Sequence, residues 1–598
     1  MSESVLVSVA WPYANAEAHV GNLTGSYLPA DIVARYHRMR GRQVLMVSGS
    51  DAHGTPITVR AEAEKITPEA VYKRYHESFL ELFQKLGLTY DLFTSTHTSN
   101  HWEVSQKMFL ALLKNGFLFT QTELQWYSVS QQRFLPDRYV EGTCYICGYT
   151  GARSDQCDKC GNLMDPAKLI NPRSKIDGST PELRETEHYY LDLGKLQPQV
   201  ESYLETRESF WRPNVVRQSL GQMRNEGLHG RPITRDLDWG IPVPLDTWKG
   251  KCLYVWFEAV IGYLSASIEW SELNHRPDAW RQWWKDASTR AFYFIGKDNI
   301  PFHAIIWPAE LIGTGTEFDR LMGEVDPKPF VLPYDVPANE FMNLEGEKIS
   351  GSRNWAVYGL DFLSRYDPDT LRYYLTVNMP ESKDTDWDWE DFFHRNNDEL
   401  VATWGNLANR VISFTHKNWE GTIPEPGELE QADKDLLNVV EEGFKTVAQE
   451  MEAVRLRSAL GETMRLATEV NRYLDQAAPW KAIKTDRQAA ARSVFTALKA
   501  IDSLKLLFAP FMPFSSEKLH TMLGYDQPLF GSQFTKTVED ELGEHTVLSY
   551  DGSQASAVWG ASTLKPGTRL GTPEPLFKKL EEKIVEEERA RLHGGGTH

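Results

Sequence analysis

The chain has 598 residues, 41% apolar and 25% charged, which is too long for one hydrophobic core and suggests about four domains or subdomains. No apolar run approaches the roughly 20 residues that cross a bilayer, and MSESVLVSVAWPY lacks a basic stretch followed by a long apolar one, so a cytoplasmic protein without a membrane partner is expected. A net charge of -19 argues against a surface uniformly attractive to polyanions and leaves room for a local basic patch.

Residues 4–10 (SVLVSVA) form a β-prone run, followed by the irregular WPYANAEAHVGN and a helical pattern from Leu23 to Arg40 that Gly41 closes. A second run, Val44 to Val47, leads into GSDAHGTP, and Thr67-Pro68 then supplies a cap and first-turn proline for a helix striped by Tyr72, Tyr75, Phe79, Leu82, Phe83 and Leu86. Strands alternating with helices predict a parallel α/β sheet. The pattern weakens from about Gly116 to Thr234, then returns in YVWFEAVIGYL and AFYFIGKD, as if an insertion split an α/β domain. Beyond Trp387 β-signals nearly vanish, while Leu436, Val440, Phe444, Val447 and Met451, and later Phe495, Leu498, Ile501 and Leu504, repeat at helical spacing. After about Gly543 come a mixed segment, a charged helix candidate from Pro575 to Leu592 and a flexible GGGTH end.

Four of the five cysteines fall in Cys144-x2-Cys147-x9-Cys157-x2-Cys160, a spacing at which two CxxC turns present four thiolates to one tetrahedral Zn²⁺. Such a site has no open position for water, so its expected role is to fold the insertion. Cys252, alone in an apolar run, reads as a core residue. His19-Val20-Gly21-Asn22 sits where the first helix begins: a helix start offers unpaired N–H groups, Gly21 permits close approach of adenine or ribose, and His19 and Asn22 can donate to phosphate oxygens. Alone, this tetrapeptide reads equally well as a turn. Lys348-Ile349-Ser350-Gly351-Ser352-Arg353 is a small-residue loop with cations, suited to the charge on a departing pyrophosphate; alone it reads equally well as a solvated loop.

Together with WPYANAEAHVGN, GSDAHGTP, YVWFEAVIGY, IGKDNIPFHAIIWPA, GNLANR and DQAAPWK in this order, these signals resemble the class I aminoacyl-tRNA synthetases, and within them the methionyl-tRNA synthetase family. The resemblance implies an α/β fold in which a class I Rossmann-type parallel sheet with a zinc-bearing insertion is followed by an all-α anticodon-binding bundle. Its expected divisions are the Rossmann halves 1–115 and 235–330, the four-cysteine insertion 116–234, a signature-loop subdomain 331–387, a helical domain 388–543 and a C-terminal segment and helix 544–598. The implied reaction activates L-methionine with ATP and Mg²⁺ to methionyl-adenylate, then transfers methionine to the terminal ribose of methionine tRNA.

By motif match, His19, Asn22, Lys348 and Ser350 carry the phosphate chemistry, while Gly21, Gly296, Asp298, Gly351 and Ser352 bind ATP. Tyr13, Trp256, Ala259, Tyr263 and His303 would line a side-chain pocket, with Asp51 on the amino group. Trp11 and Val260 differ from the residues common in that pocket. Trp480 matches the family's stacking residue for the anticodon, and Asn406 and Arg410 its base-edge readers; they accompany eight Lys or Arg against four acids between Arg455 and Arg492. The family's downstream signature usually carries a second lysine where Gly351 stands, so either Lys348 or Arg353 is expected to compensate or activation is expected to be slower. Asn22 replaces the commoner histidine and still donates. The resemblance also implies one structural zinc per chain. With no β-rich module after the helices, a monomer is expected, unless the helix near residues 575–592 mediates dimerisation in place of folding back on the body.

Competing readings are a leucyl, isoleucyl or valyl synthetase, for whose editing insertion residues 116–234 are short, and a cysteinyl enzyme, whose pocket zinc a closed four-cysteine site does not match. A catalytically inert tRNA-binding relative is the alternative outside catalysis.

Overall fold

The computed structural model describes residues 3–136, 139–154, 157, 159–160, 164 and 166–593, apart from the side chains of Pro166, Ser352 and His593; the expected flexible GGGTH end lies outside the described residues. The central sheet is built from β1 (Ser4–Val9), β2 (Gln43–Ser50), β3 (Leu92–Ser95), β4 (Arg290–Gly296), β5 (Ala338–Asn339), β6 (Ser532–Asp540) and β7 (Gly543–Asp551). Their order across the sheet is β5-β4-β1-β2-β3-β7-β6. The first five run parallel, in register Val5↔Val44 between β1 and β2 and Val5↔Arg290 between β1 and β4. All six residues of β1 are buried, which is why it reads as an apolar run without alternation. Strand order reverses between β1 and β4, so the loops leaving their C-terminal ends open a crevice there.

The helix after β1 begins at Val20, three residues earlier than its apolar pattern suggested, passes through a π-type turn at Leu23–Tyr27, and continues as Leu28–Met39. Thr67 caps the helix Pro68–Leu86 by accepting from the Ala70 N–H at 3.1 Å, and all six of its striped residues are buried. Between Leu118 and Leu191 the chain leaves the sheet as a long antiparallel pair, Leu118–Ser128 against Glu182–Leu191, with the four cysteines in the turns and loops between the smaller strands beyond it.

Helices Asn406–Trp419, Gln431–Glu452, Leu456–Ala477, Arg487–Phe508 and Pro513–Met522 form the bundle. Among the described residues no helix is long and apolar enough to cross a membrane.

Two findings differ from the sequence pattern. Beyond the bundle the chain returns to the α/β body: β6 and β7 form a hairpin, and Leu548 of β7 pairs antiparallel with Phe93 of β3. The expected division between residues 543 and 544 falls just inside β7, past this hairpin's turn. The C-terminal helix spans Ile584–His593, not Pro575 to Leu592. Residues 578 and 580 satisfy their backbone elsewhere: Asn396 Nδ2 donates to the Lys578 carbonyl at 3.0 Å, and Asn397 both donates to and accepts from Leu580. The helix does fold back on the body, with Ile584 and Val585 buried and Glu588 bonded to Arg365 at 2.8 Å.

Candidate active site

The crevice between β1 and β4 holds a cavity of about 400 Å³, and twelve of the expected residues line it: Tyr13, His19, Gly21, Asn22, Asp51, Trp256, Ala259, Tyr263, Gly296, Asp298, His303 and Lys348. The His19 N–H donates to Asn22 Oδ1 at 3.1 Å, closing the helix start on itself. Val20 N–H donates to the Val357 carbonyl at 2.9 Å and Gly359 N–H to the Ala18 carbonyl at 3.0 Å, so the signature-loop segment is stitched to this helix start. A Cβ on Gly21 would lie 3.1 Å from the His19 ring and 3.3 Å from Ile349, leaving no comfortable room for a side chain. Burial pushes the His19 imidazole down to about 4, and its Nδ1 is buried without a partner. A neutral ring with an unanswered polar atom is thereby held at the cavity wall.

One end of the cavity is aromatic. Trp256 stacks on Phe302 with centroids 4.3 Å apart and meets Tyr13 edge-on at 5.9 Å, contacts worth about 0.5–1.5 kcal/mol each beyond area burial. His303 Nδ1 lies 3.0 Å from the Asn299 carbonyl, which accepts only, so Nδ1 carries the proton and Nε2 accepts from the Tyr263 hydroxyl at 2.7 Å. Burial holds His303 down to about 4 and pushes the Tyr263 hydroxyl up, so both are uncharged at neutral pH. Trp11 closes the floor between two glycines: a Cβ at Gly262 would sit 2.6 Å from its indole, and one at Gly49 would overlap it.

Asp51, buried where β2 ends, is held by its backbone, donating to the Pro12 carbonyl at 2.8 Å and accepting from Ala14 N–H at 2.9 Å. Burial, then the neighbouring Glu258 carboxylate, push its carboxyl well above the ordinary range. Glu258 is fully buried too. Burial works to raise it, but His53 Nδ1 at 2.8 Å and His101 Nε2 at 2.6 Å bring it down to about 2. Glu258 thus takes the stabilised negative charge, and Asp51 lines the cavity with a raised carboxyl.

The downstream loop is brought in only partly. Lys348 lines the cavity, with its ammonium 5.2 Å from the Phe341 ring centre. Ser350 pairs by backbone with Trp355 and does not line the cavity, and the Ser352 side chain lies outside the described residues. Gly351 lines a neighbouring cavity. Arg353 turns back on its own loop, 3.7 Å from Glu347 and donating to the Lys348 carbonyl at 3.3 Å, so it borders neither space. Lys297, between Gly296 and Asp298, is a structural clamp on Glu340 at 2.7 Å and Asp384 at 2.8 Å.

Elsewhere, the Cys144 and Cys160 sulfurs lie 4.0 Å apart and those of Cys147 and Cys157 3.6 Å apart, and all four fall within 4.8 Å of one another. A tetrahedron with bonds of about 2.3 Å puts sulfurs about 3.8 Å apart, so the cluster fits a four-coordinate ion. Cys252 is buried, its thiol donating to the Leu237 carbonyl at 3.1 Å. On the bundle, the Arg410 guanidinium lies 4.6 Å from the Trp480 ring centre, and Asn406 is exposed one turn before it. Much of the basic stretch is paired: Arg455 to Glu450 at 2.7 Å, Arg465 to Glu462 at 2.7 Å, and Arg492 to Glu430 and Asp433. Glu462 is already among the four acids counted, so the net positive count is offset by Glu450, Glu430 and Asp433, which precede the stretch.

Sequence reasoning missed Phe302, the Glu258–His53–His101 cluster, and Asn471 and Asp475 beside Arg410. A glutamate within the apolar run YVWFEAVIGYL was the available signal for the cluster.

Comparison with known proteins gives concordant matches. A family model described as "tRNA synthetases class I (M)" matches residues 5–412, and one described as "Anticodon binding domain of methionyl tRNA ligase" matches residues 423–549. A methionine–tRNA ligase of Thermomicrobium roseum is 53% identical, with 99% of each chain covered; one of Roseiflexus sp. is 52% identical, again with 99% of each covered. A solved Mycobacterium tuberculosis methionyl-tRNA synthetase in complex with methionyl-adenylate shares the fold, with a TM-score of 0.74, 24% identity, and 96% of this chain and 99% of that one covered.

Proposed function

This chain belongs to the class I methionyl-tRNA synthetase family, and on that premise we propose how its own residues join methionine to tRNA. A methionine carboxylate oxygen attacks the α-phosphorus of ATP, methionyl-adenylate forms and pyrophosphate leaves. A hydroxyl of the terminal ribose of methionine tRNA then takes the acyl group and AMP is released. Both steps are governed by positioning and electrostatics. ATP enters as its Mg²⁺ complex, so that ion arrives with the substrate.

Asp51 receives the methionine ammonium, and the uncharged wall of Tyr13, Trp256, Ala259, Tyr263 and His303 takes the thioether, a polarisable group with no charge to satisfy. Gly296 and Asp298, at the end of β4, receive adenine and ribose, and Gly21 lets the nucleotide approach the helix start. His19 and Asn22 contact the phosphates, Lys348 meets the charge that develops as the bond to pyrophosphate breaks, and Ser350, Gly351 and Ser352 complete the loop over it. Cys144, Cys147, Cys157 and Cys160 hold one structural Zn²⁺, which folds the insertion. Trp480 stacks an anticodon base, with Arg410 and Asn406 at base edges. The C-terminal helix packs on the body of its own chain, with Ile584 and Val585 buried, which supports a monomer, and tRNA charging places its work in the cytoplasm.

The observation that carries this reading is the convergence, in a single cavity at the switch point, of a buried carboxyl, a neutral aromatic wall and the His19 helix start. Its test is amino-acid-dependent ATP–pyrophosphate exchange with methionine, leucine, isoleucine, valine, cysteine and homocysteine. Methionine is expected to support exchange best; preference for another amino acid, or no exchange at all, overturns the reading. Trp480→Ala is expected to leave exchange intact and lower kcat/KM for tRNA charging about tenfold or more, the worth of one stacked base.

Chelation is expected to release one zinc per chain and to make residues 116–234 the first site of proteolytic cleavage. Release of no metal from protein purified without chelator contradicts the zinc assignment.

A further inference from the structure

A second cavity, of about 1200 Å³, adjoins the first across His19 and Asn22, which line both. The two spaces differ in charge. The first carries the carboxyls of Asp51, Asp298 and Glu340 against the single ammonium of Lys348. The second is lined by Arg60, Arg74, Arg153 and Lys175 against Glu17 and Glu64. The formal charge therefore changes sign across the helix start where the reacting phosphorus is placed.

Two of these cations are built into the wall. Arg60 Nε bonds Glu64 Oε1 at 2.6 Å, and Nη1 donates to the carbonyl of Asn15, in the loop leading to His19, at 2.8 Å. Its guanidinium also lies 4.9 Å from the Tyr75 ring centre. Arg74 Nη1 bonds the other Glu64 oxygen at 2.7 Å. One carboxylate thus orients two guanidinium groups and cannot neutralise both, and Nη2 of Arg60 makes no hydrogen bond among the described residues. Gly351 borders the same space with no side chain to offer; a Cβ there would meet nothing nearer than the Tyr358 hydroxyl at 3.8 Å. The loop's arginine, Arg353, is turned away on Glu347.

We propose that this second cavity receives the pyrophosphate end of ATP, with Arg60 and Arg74 supplying the positive charge that the loop lacks at Gly351. The proposal rests on the activation reaction proposed above. As the carboxylate oxygen bonds the α-phosphorus, the bond from that phosphorus to the bridging oxygen breaks, and its electron pair leaves with pyrophosphate. The departing anion gains charge on the side of the helix start where the four cations stand, and guanidinium groups match phosphate oxygens as paired donors. Neither arginine touches the methionine cavity.

The test uses Arg60→Gln, Arg74→Gln and the double variant of the full chain, with Arg60→Lys as the charge-conserving control. Three quantities are read: the KM for pyrophosphate in methionine-dependent exchange, the Kd for methionine, and the single-turnover rate of transfer from preformed methionyl-adenylate to tRNA. Each glutamine variant is expected to raise the pyrophosphate KM about tenfold or more, with partial recovery in Arg60→Lys and unchanged methionine Kd and transfer rate. An unchanged pyrophosphate KM overturns the proposal. Slowed transfer with normal exchange overturns it too, and assigns the cations to the phosphates at the 3′ end of tRNA. Loss of methionine binding in the glutamine variants marks a general folding defect and defeats the specific role. If the unaltered chain shows no methionine-dependent exchange, the activation reading itself falls; if it exchanges and the variants match it, only the pyrophosphate site falls.

Discussion

Asp51→Asn is expected to lower kcat/KM for methionine by about 100- to 1000-fold in ATP–pyrophosphate exchange, because the entering ammonium ion loses the buried carboxyl proposed to pair with it, a change costing roughly 3–4 kcal/mol. The substitution should not unfold the protein. Asp51 is a buried carboxyl raised by desolvation and by Glu258, a burden on the empty structure, so replacing it with a neutral amide of the same shape is expected to leave the thermal midpoint unchanged or higher. Activity and stability thus move in opposite directions, which separates recognition from folding. The same shift has a second consequence. An arriving ammonium favours the ionised form of this raised carboxyl, so at pH values below the raised value binding releases a proton, and methionine affinity falls as pH falls through it. Calorimetry in two buffers of different ionisation enthalpy measures that proton; proton uptake would contradict the assignment of Asp51 to the amine.

Glu258 explains why Asp51 can behave this way. Two carboxyls buried close together cannot both ionise cheaply, and the protein settles the competition by giving both histidines to Glu258. The negative charge is fixed one layer behind the cavity, and the carboxyl that lines it is left responsive.

This division of roles was the least legible part of the site. His19, Asp51 and Trp256 sit in short contiguous motifs, and each takes its position from an element of its own neighbourhood: a helix start, a strand end, a helix's first turn. Sequence reading handles such residues well. Glu258, His53 and His101 come from three separated segments, and only the folded sheet brings them together. The β6–β7 hairpin was missed for a related reason. Most of β6 is exposed, so it has no apolar alternation, and its partner's neighbour β3 lies more than 400 residues earlier in the chain. Residues 575–583 were misread in the opposite sense: their charge pattern suits a helix, but Asn396 and Asn397 offer their backbone better-placed partners. The Arg455 to Arg492 stretch shows that a charge count along the chain is no measure of surface field when acids of another helix stand opposite.

His19→Ala is expected to reduce kcat for activation by about 100-fold or more while leaving methionine Kd within about twofold, since a preorganised donor at a phosphoryl centre acts mainly in the transition state. Placement, not charge, is the reason. Burial depresses His19 to about 4, so the ring is neutral through the physiological range and protonates only as pH falls toward that value. A neutral imidazole donates from one nitrogen, and the buried, unpartnered Nδ1 shows that the wall has not already used its capacity on protein atoms. The pH profile of kcat should therefore show no inflection near 6.5 traceable to this ring, and the profiles of the parent and His19→Ala chains should run parallel between about pH 6 and 8. An inflection near 6.5 present in the parent and absent from the variant would mean that His19 acts as a titrating acid or base. A loss appearing wholly in methionine Kd would instead place His19 in ground-state binding. The His19→Asn variant distinguishes geometry from ring chemistry, because asparagine can donate from nearly the same place and should recover part of the lost rate.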